Sequence, residues 1–131
     1  MKKFLLFIFI FALPVNAQMI SGNVEYQIEK DRKIAIFSDG SKGVMYNNTP
    51  LIIKYYNSDA DLIYIETKTQ EQYPHKAFKY TPDGELVNVS LRISEKESFI
   101  YNLKGKLIGH WVGDNCYNQN GQVVMTRKTM K

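Results

Sequence analysis

Residues 101–124 read YNLKGKLIGHWVGDNCYNQNGQVV and write one phrase twice: a tyrosine, three residues, a glycine, one residue, then two aliphatics. The same phrase occurs at residues 80–87, YTPDGELV. At residues 56–63, YNSDADLI, Ala60 stands where the glycine belongs, and Phe37-Ser38-Asp39-Gly40 is a shortened relative. A tight reversal needs one residue at positive φ, which glycine adopts without a Cβ clash. Pro82 suits the first inner position of a type I turn, and Gly84 suits the bulge residue that closes it. The phrase is therefore hairpin punctuation: the tyrosine ends one strand, and the aliphatic pair that begins the next packs across from it. With alanine in the glycine position, the turn at residues 57–60 is expected to be the weak member of the set.

Working outward from these turns, apolar and polar residues alternate throughout, which is the period of a half-buried strand. Val24, Tyr26 and Ile28 alternate with Glu25, Gln27 and Glu29. KIAIF (33–37) and KGVMY (42–46) flank one turn, and LIIKYY (51–56) and DLIYIETK (61–68) flank the next. AFKY (77–80) and ELVNVSLRIS (85–94) follow, the latter setting Val87, Val89, Leu91 and Ile93 on one face and Asn88, Ser90, Arg92 and Ser94 on the other. SFIYNL (98–103) with KLIGHWV (106–112), and CYNQ (116–119) with QVVMTRK (122–128), complete the series. Residues 69–76 have the least pattern and read as a loop. No stretch has helical periodicity. The expectation is all-β: an antiparallel meander of about ten short strands, forming an open twisted sheet, a small barrel or a sandwich.

The first residues, MKKFLLFIFIFALPVNA, read as a cleaved signal peptide: Lys2 and Lys3, an apolar run from Phe4 to Leu13, and small residues ahead of a cut after Ala17. That run spans about 15 Å as a helix, half of a bilayer core, so no retained membrane anchor is expected. Residues 1–17 are thus read as a leader and 18–131 as one all-β domain, with the periplasm as its address. Without Lys2 and Lys3 the formal charge of +4 falls by two. So weak a balance gives no warrant for a nucleic-acid partner. Arg127, Lys128 and Lys131 read as a solvated tail.

The repeated phrase, over residues 56–128, resembles the MORN-like and YD-type β-hairpin repeats of bacterial exported and toxin-associated proteins. That resemblance implies a repetitive β-sheet and brings no catalytic residues with it.

Chemistry is sparse. Cys116 is the single cysteine, so no internal disulfide can form; it reads first as a small buried hydrophobe, second as the site of a disulfide-linked homodimer. A thiol nucleophile with His110 or His75 as base would need a low-pKa, partly exposed thiolate. DNCYNQNG (114–121) is rich in oxygen donors, yet a calcium loop would want acids where Cys116 and Arg127 stand. No metal site and no cofactor are expected. The candidate binding residues are Trp111, the only tryptophan, with His110 and Asp114 beside it, and the pair Tyr55-Tyr56. Such rings bury area with little rotamer loss. The expected function is an exported, non-catalytic protein-binding module, such as an immunity protein or inhibitor of a toxin or cell-wall enzyme. The alternatives are a Cys/His hydrolase and a structural or ligand-carrying envelope β-protein.

Overall fold

The computed structural model describes residues 22–130; the expected leader lies outside them. Eleven strands follow one another: β1 (Gly22–Ile28), β2 (Arg32–Phe37), β3 (Lys42–Tyr46), β4 (Ile52–Tyr56), β5 (Leu62–Lys68), β6 (His75–Tyr80), β7 (Leu86–Arg92), β8 (Glu97–Tyr101), β9 (Leu107–Val112), β10 (Asn115–Tyr117) and β11 (Val123–Met130). Each pairs antiparallel with the next, and β11 returns to β1, so the meander closes into a barrel. An odd number of alternating strands leaves the first and last pointing the same way. The closing pair is accordingly parallel, with Arg127 opposite Val24 and Thr126 opposite Asn23. Of the architectures the alternation allows, closure is the one that leaves no edge unpaired.

The repeated phrase falls at every second turn, so all its copies gather at one end of the barrel. Gly40, Ala60, Gly84, Gly105 and Gly121 all have positive φ, from 68° to 95°. In each, the amide of that residue donates to the carbonyl three residues back, as Gly105 does to Asn102 at 3.0 Å. The residue after the tyrosine completes the device. Asn57, Asn102 and Asn118 each accept two turn amides on Oδ1, and Thr81 Oγ1 accepts that of Glu85. The register then pairs Tyr56 with Leu62, Tyr80 with Leu86, Tyr101 with Leu107 and Tyr117 with Val123, each beside an irregularity in the ladder. A bulge at each hairpin adds local twist, which is what curls a flat meander into a ring. The other rim carries the connections 29–31, 47–51, 69–74, 93–96 and 113–114.

Apolar burial is concentrated at the seam side, where Val24, Trp111, Cys116 and Met125 form the core cluster with Tyr26, Phe37 and Ile100 against it. The opposite wall behaves differently. On β7 it is Asn88 and Ser90 that are buried, at 3% and 4% exposure, while Val89 and Leu91 face outward. The period-two pattern separates the two sets correctly, and closure turns the polar one inward.

Arg127 corrects the reading of a solvated tail. It belongs to β11, donates from Nε to the Gly113 carbonyl at 2.9 Å, and lays its guanidinium 4.5 Å from the Trp111 ring centre.

Candidate functional site: the barrel interior

Eight strands close on an interior that side chains just fill, and width grows with strand number. Eleven leave space. The barrel encloses a cavity of about 710 Å³, lined from nearly every strand and reaching Tyr73, Glu95, Lys96 and Asp114 in the loops of the rim opposite the glycine turns. That volume lies in the range of small-molecule sites.

Its walls differ in chemistry because the strands opposite each other in the ring carry different inward residues. On the seam side Val24, Tyr26, Phe37, Trp111 and Met125 face in. Across the barrel, β5–β7 supply Glu66, Lys79, Asn88, Ser90 and Arg92. Glu66, 2% exposed, accepts on Oε1 from Tyr55 Oη at 2.8 Å and from Arg92 Nη2 at 3.0 Å. Burial by itself would raise its pKa, but Arg92 and then Lys79 outweigh it and hold the carboxyl below its ordinary 4.5. Tyr55 is pushed well up by burial and by the neighbouring carboxylate, so it stays a neutral donor.

Gly43 makes this arrangement possible. It stands opposite Tyr55, and a Cβ there would meet the Tyr55 ring at 2.8 Å. The ring packs close over bare backbone there, with its hydroxyl on Glu66. A glycine inside a strand signals such close approach.

Lys79 pairs in register with Glu66. Its ammonium lies 4.5 Å from the Tyr55 ring centre and 5.4 Å from that of Tyr64. No carboxylate reaches it within salt-bridge distance among the described residues. Burial, and then Arg92, lower its pKa against the partial support of Glu66. Nearby, Lys68 Nζ approaches Met45 Sδ at 3.3 Å. Lys79 lines the cavity.

The residues singled out from sequence separate into two groups. Trp111 and Tyr55 point into the cavity and Asp114 lies at its mouth. His110 and Tyr56 occupy the outer face. His110 stacks on Phe99 with centroids 4.1 Å apart and meets Glu97 Oε2 at 3.0 Å. Cys116 pairs with Trp111, whereas His110 pairs with Tyr117. The cysteine and the histidine therefore project to opposite sides of the sheet and form no dyad. Cys116 is fully buried, and burial pushes its thiol up to about 11, opposite to what a nucleophile needs. A disulfide between two copies would require the barrel to open. His75 is buried at 4% exposure, with Nδ1 against the Gln72 carbonyl at 3.2 Å and Nε2 without a partner. It shares no site with Cys116. Among the described residues no group of three or more His, Cys, Asp or Glu could hold a metal ion.

Sequence reasoning missed Glu66 and Lys79. Both sit at alternate positions in apolar runs, LIYIET and AFKY, and a charged residue so placed ordinarily faces water. No family model, curated protein or solved structure matches this chain.

Proposed function

We propose that the protein is an exported, non-catalytic carrier that holds one small amphipathic molecule inside its barrel. The observation that carries this reading is the cavity: about 710 Å³, mainly apolar on the seam side apart from Arg127 and polar across from it, with its mouth at one rim. A protein that needed only to fold would gain more from filling that space, because a packed interior recovers dispersion contacts that an open one forgoes. The leader-like residues 1–17 support export. Trp111 provides the test, being the only tryptophan and facing the cavity. The neutral dye N-phenyl-naphthylamine should bind with unit stoichiometry and accept excitation energy from Trp111. Ala35→Phe, which adds bulk at an inward position, should weaken that binding. Equal binding to both proteins would show that the dye sits elsewhere and end the carrier reading.

A second reading, a protein-binding module such as an immunity protein or inhibitor, is favoured by the mouth itself. Of the nine large hydrophobic residues exposed among those described, seven lie at that rim, among them Ile28, Tyr46, Ile52, Tyr73, Ile93 and Val112. An apolar collar of this kind marks docking surfaces. If it is one, Ile28→Ser with Ile93→Ser will abolish recovery of a stoichiometric envelope partner by the tagged protein; unchanged recovery excludes the collar.

A further inference from the structure

We propose that the molecule held in the barrel is a single-chain amphiphile with an anionic head group, a carboxylate or phosphate monoester, seated on Lys79 beside Arg92 with its tail against the seam wall. This rests on the carrier reading above and names the cargo.

The polar wall places two cations, Lys79 and Arg92, around one carboxylate, Glu66. Glu66 is committed to Arg92 and Tyr55 through the same oxygen. Lys79 is left with aromatic faces at 4.5 and 5.4 Å, and no anion within ion-pairing distance among the described residues. Cation–π contact offsets part of the desolvation of an ammonium but satisfies none of its three N–H donors. These donors can be completed only by water or by a ligand within the cavity. A lysine is a point charge and fits a carboxylate or a phosphate alike. The depressed pKa of Lys79 agrees with a charge lacking compensation.

The tail follows from topology. β6, which carries Lys79, lies five places round the ring from both β1 and β11. A head group on Lys79 therefore faces Val24 and Met125 across the cavity, with Trp111 and Ile100 on the same side. A molecule charged at one end and aliphatic at the other matches both walls. A uniformly apolar molecule would leave Lys79 and Arg92 desolvated, and a fully charged one would meet the seam wall.

The test is displacement of bound N-phenyl-naphthylamine at neutral pH by four ligands sharing a dodecyl chain: dodecanoate, dodecyl phosphate, dodecanol and dodecylamine. A charge-assisted hydrogen bond corresponds to roughly a tenfold or greater advantage, so at least one anion should displace the dye at about one tenth of the dodecanol concentration, with the amine weakest. Lys79→Met should abolish that advantage, read as each anion's displacement relative to dodecanol in the same variant, and Lys79→Arg should retain it. Equal displacement by dodecanol and both anions overturns the assignment and leaves the carrier reading standing. An undiminished advantage in Lys79→Met overturns it as well. Failure of wild-type protein to bind dye and all four ligands removes both. The wild-type ranking decides even if a variant fails to fold.

Discussion

Glu66 faces two cations, Arg92 and Lys79, on the polar wall, and removing its charge would leave them repelling each other without a counter-charge. Breaking a buried pair by deleting one partner costs about 3–5 kcal/mol. Because Arg92 retains contact with the cavity, the lower end of that range applies. Glu66→Gln should therefore lower the unfolding free energy by about 3 kcal/mol, measured by denaturant titration. The sign of the pH dependence follows from the direction of the shift. A carboxyl held below 4.5 contributes stability that is present above that value and lost as pH falls through its lower native pKa. His75, held neutral below its ordinary 6.5 by burial and then by Arg92 and Lys68, against the Gln72 carbonyl and Glu66, acts in the same direction. Wild-type stability should accordingly fall in two stages on acidification, beginning near 6.5 and again near 4.5. In Glu66→Gln the second stage should shrink.

At the scale of elements, the hairpins were legible because their chemistry is local. Tyr101 through Ile108 contain the strand end, the amide acceptor Asn102, the positive-φ Gly105 and the aliphatic partner, with nothing supplied from elsewhere. Ala60 sharpens the point. It holds φ of 68° with a Cβ, which costs about 1–2 kcal/mol, while glycine there would lose about 0.4–1 kcal/mol through a freer unfolded chain. Ala60→Gly should thus stabilise by about 0.5–1 kcal/mol, read as a raised midpoint in thermal unfolding. The orientation of β7 was not legible, because alternation distinguishes two faces without saying which one a closed ring turns inward. Asn88, Ser90 and Arg92 look like a solvent face until the cavity they line is known. Tyr55 and Trp111 could be picked out as rings near turns. The partners that give Tyr55 its role, Glu66 at eleven residues' separation and Gly43 on the neighbouring strand, are set by register and lie beyond any local pattern.

Over the whole molecule, closure depends on one parallel pair. β11 covers the β1 side of the core cluster, bringing Met125 against Val24 and Cys116 and setting Arg127 over Trp111. Deleting residues 123–131 should therefore open the ring and wet the tryptophan. The expected readouts are a red-shifted Trp111 emission, reaction of Cys116 with thiol reagents that leave the native protein untouched, and loss of dye binding. A truncated chain with unchanged emission and an inert thiol would mean that the seam is dispensable.

That seam joins the first strand to the eleventh, as in the side-chain contact of Asn23 with Thr126, 103 residues apart. Until β11 docks, the outer edge of β1 is unpaired although β2 already holds its inner edge, and the wall has a slit along its whole height. Such a slit is a way into the interior that does not pass the rim, and the pairing of β11 with β1 shuts it.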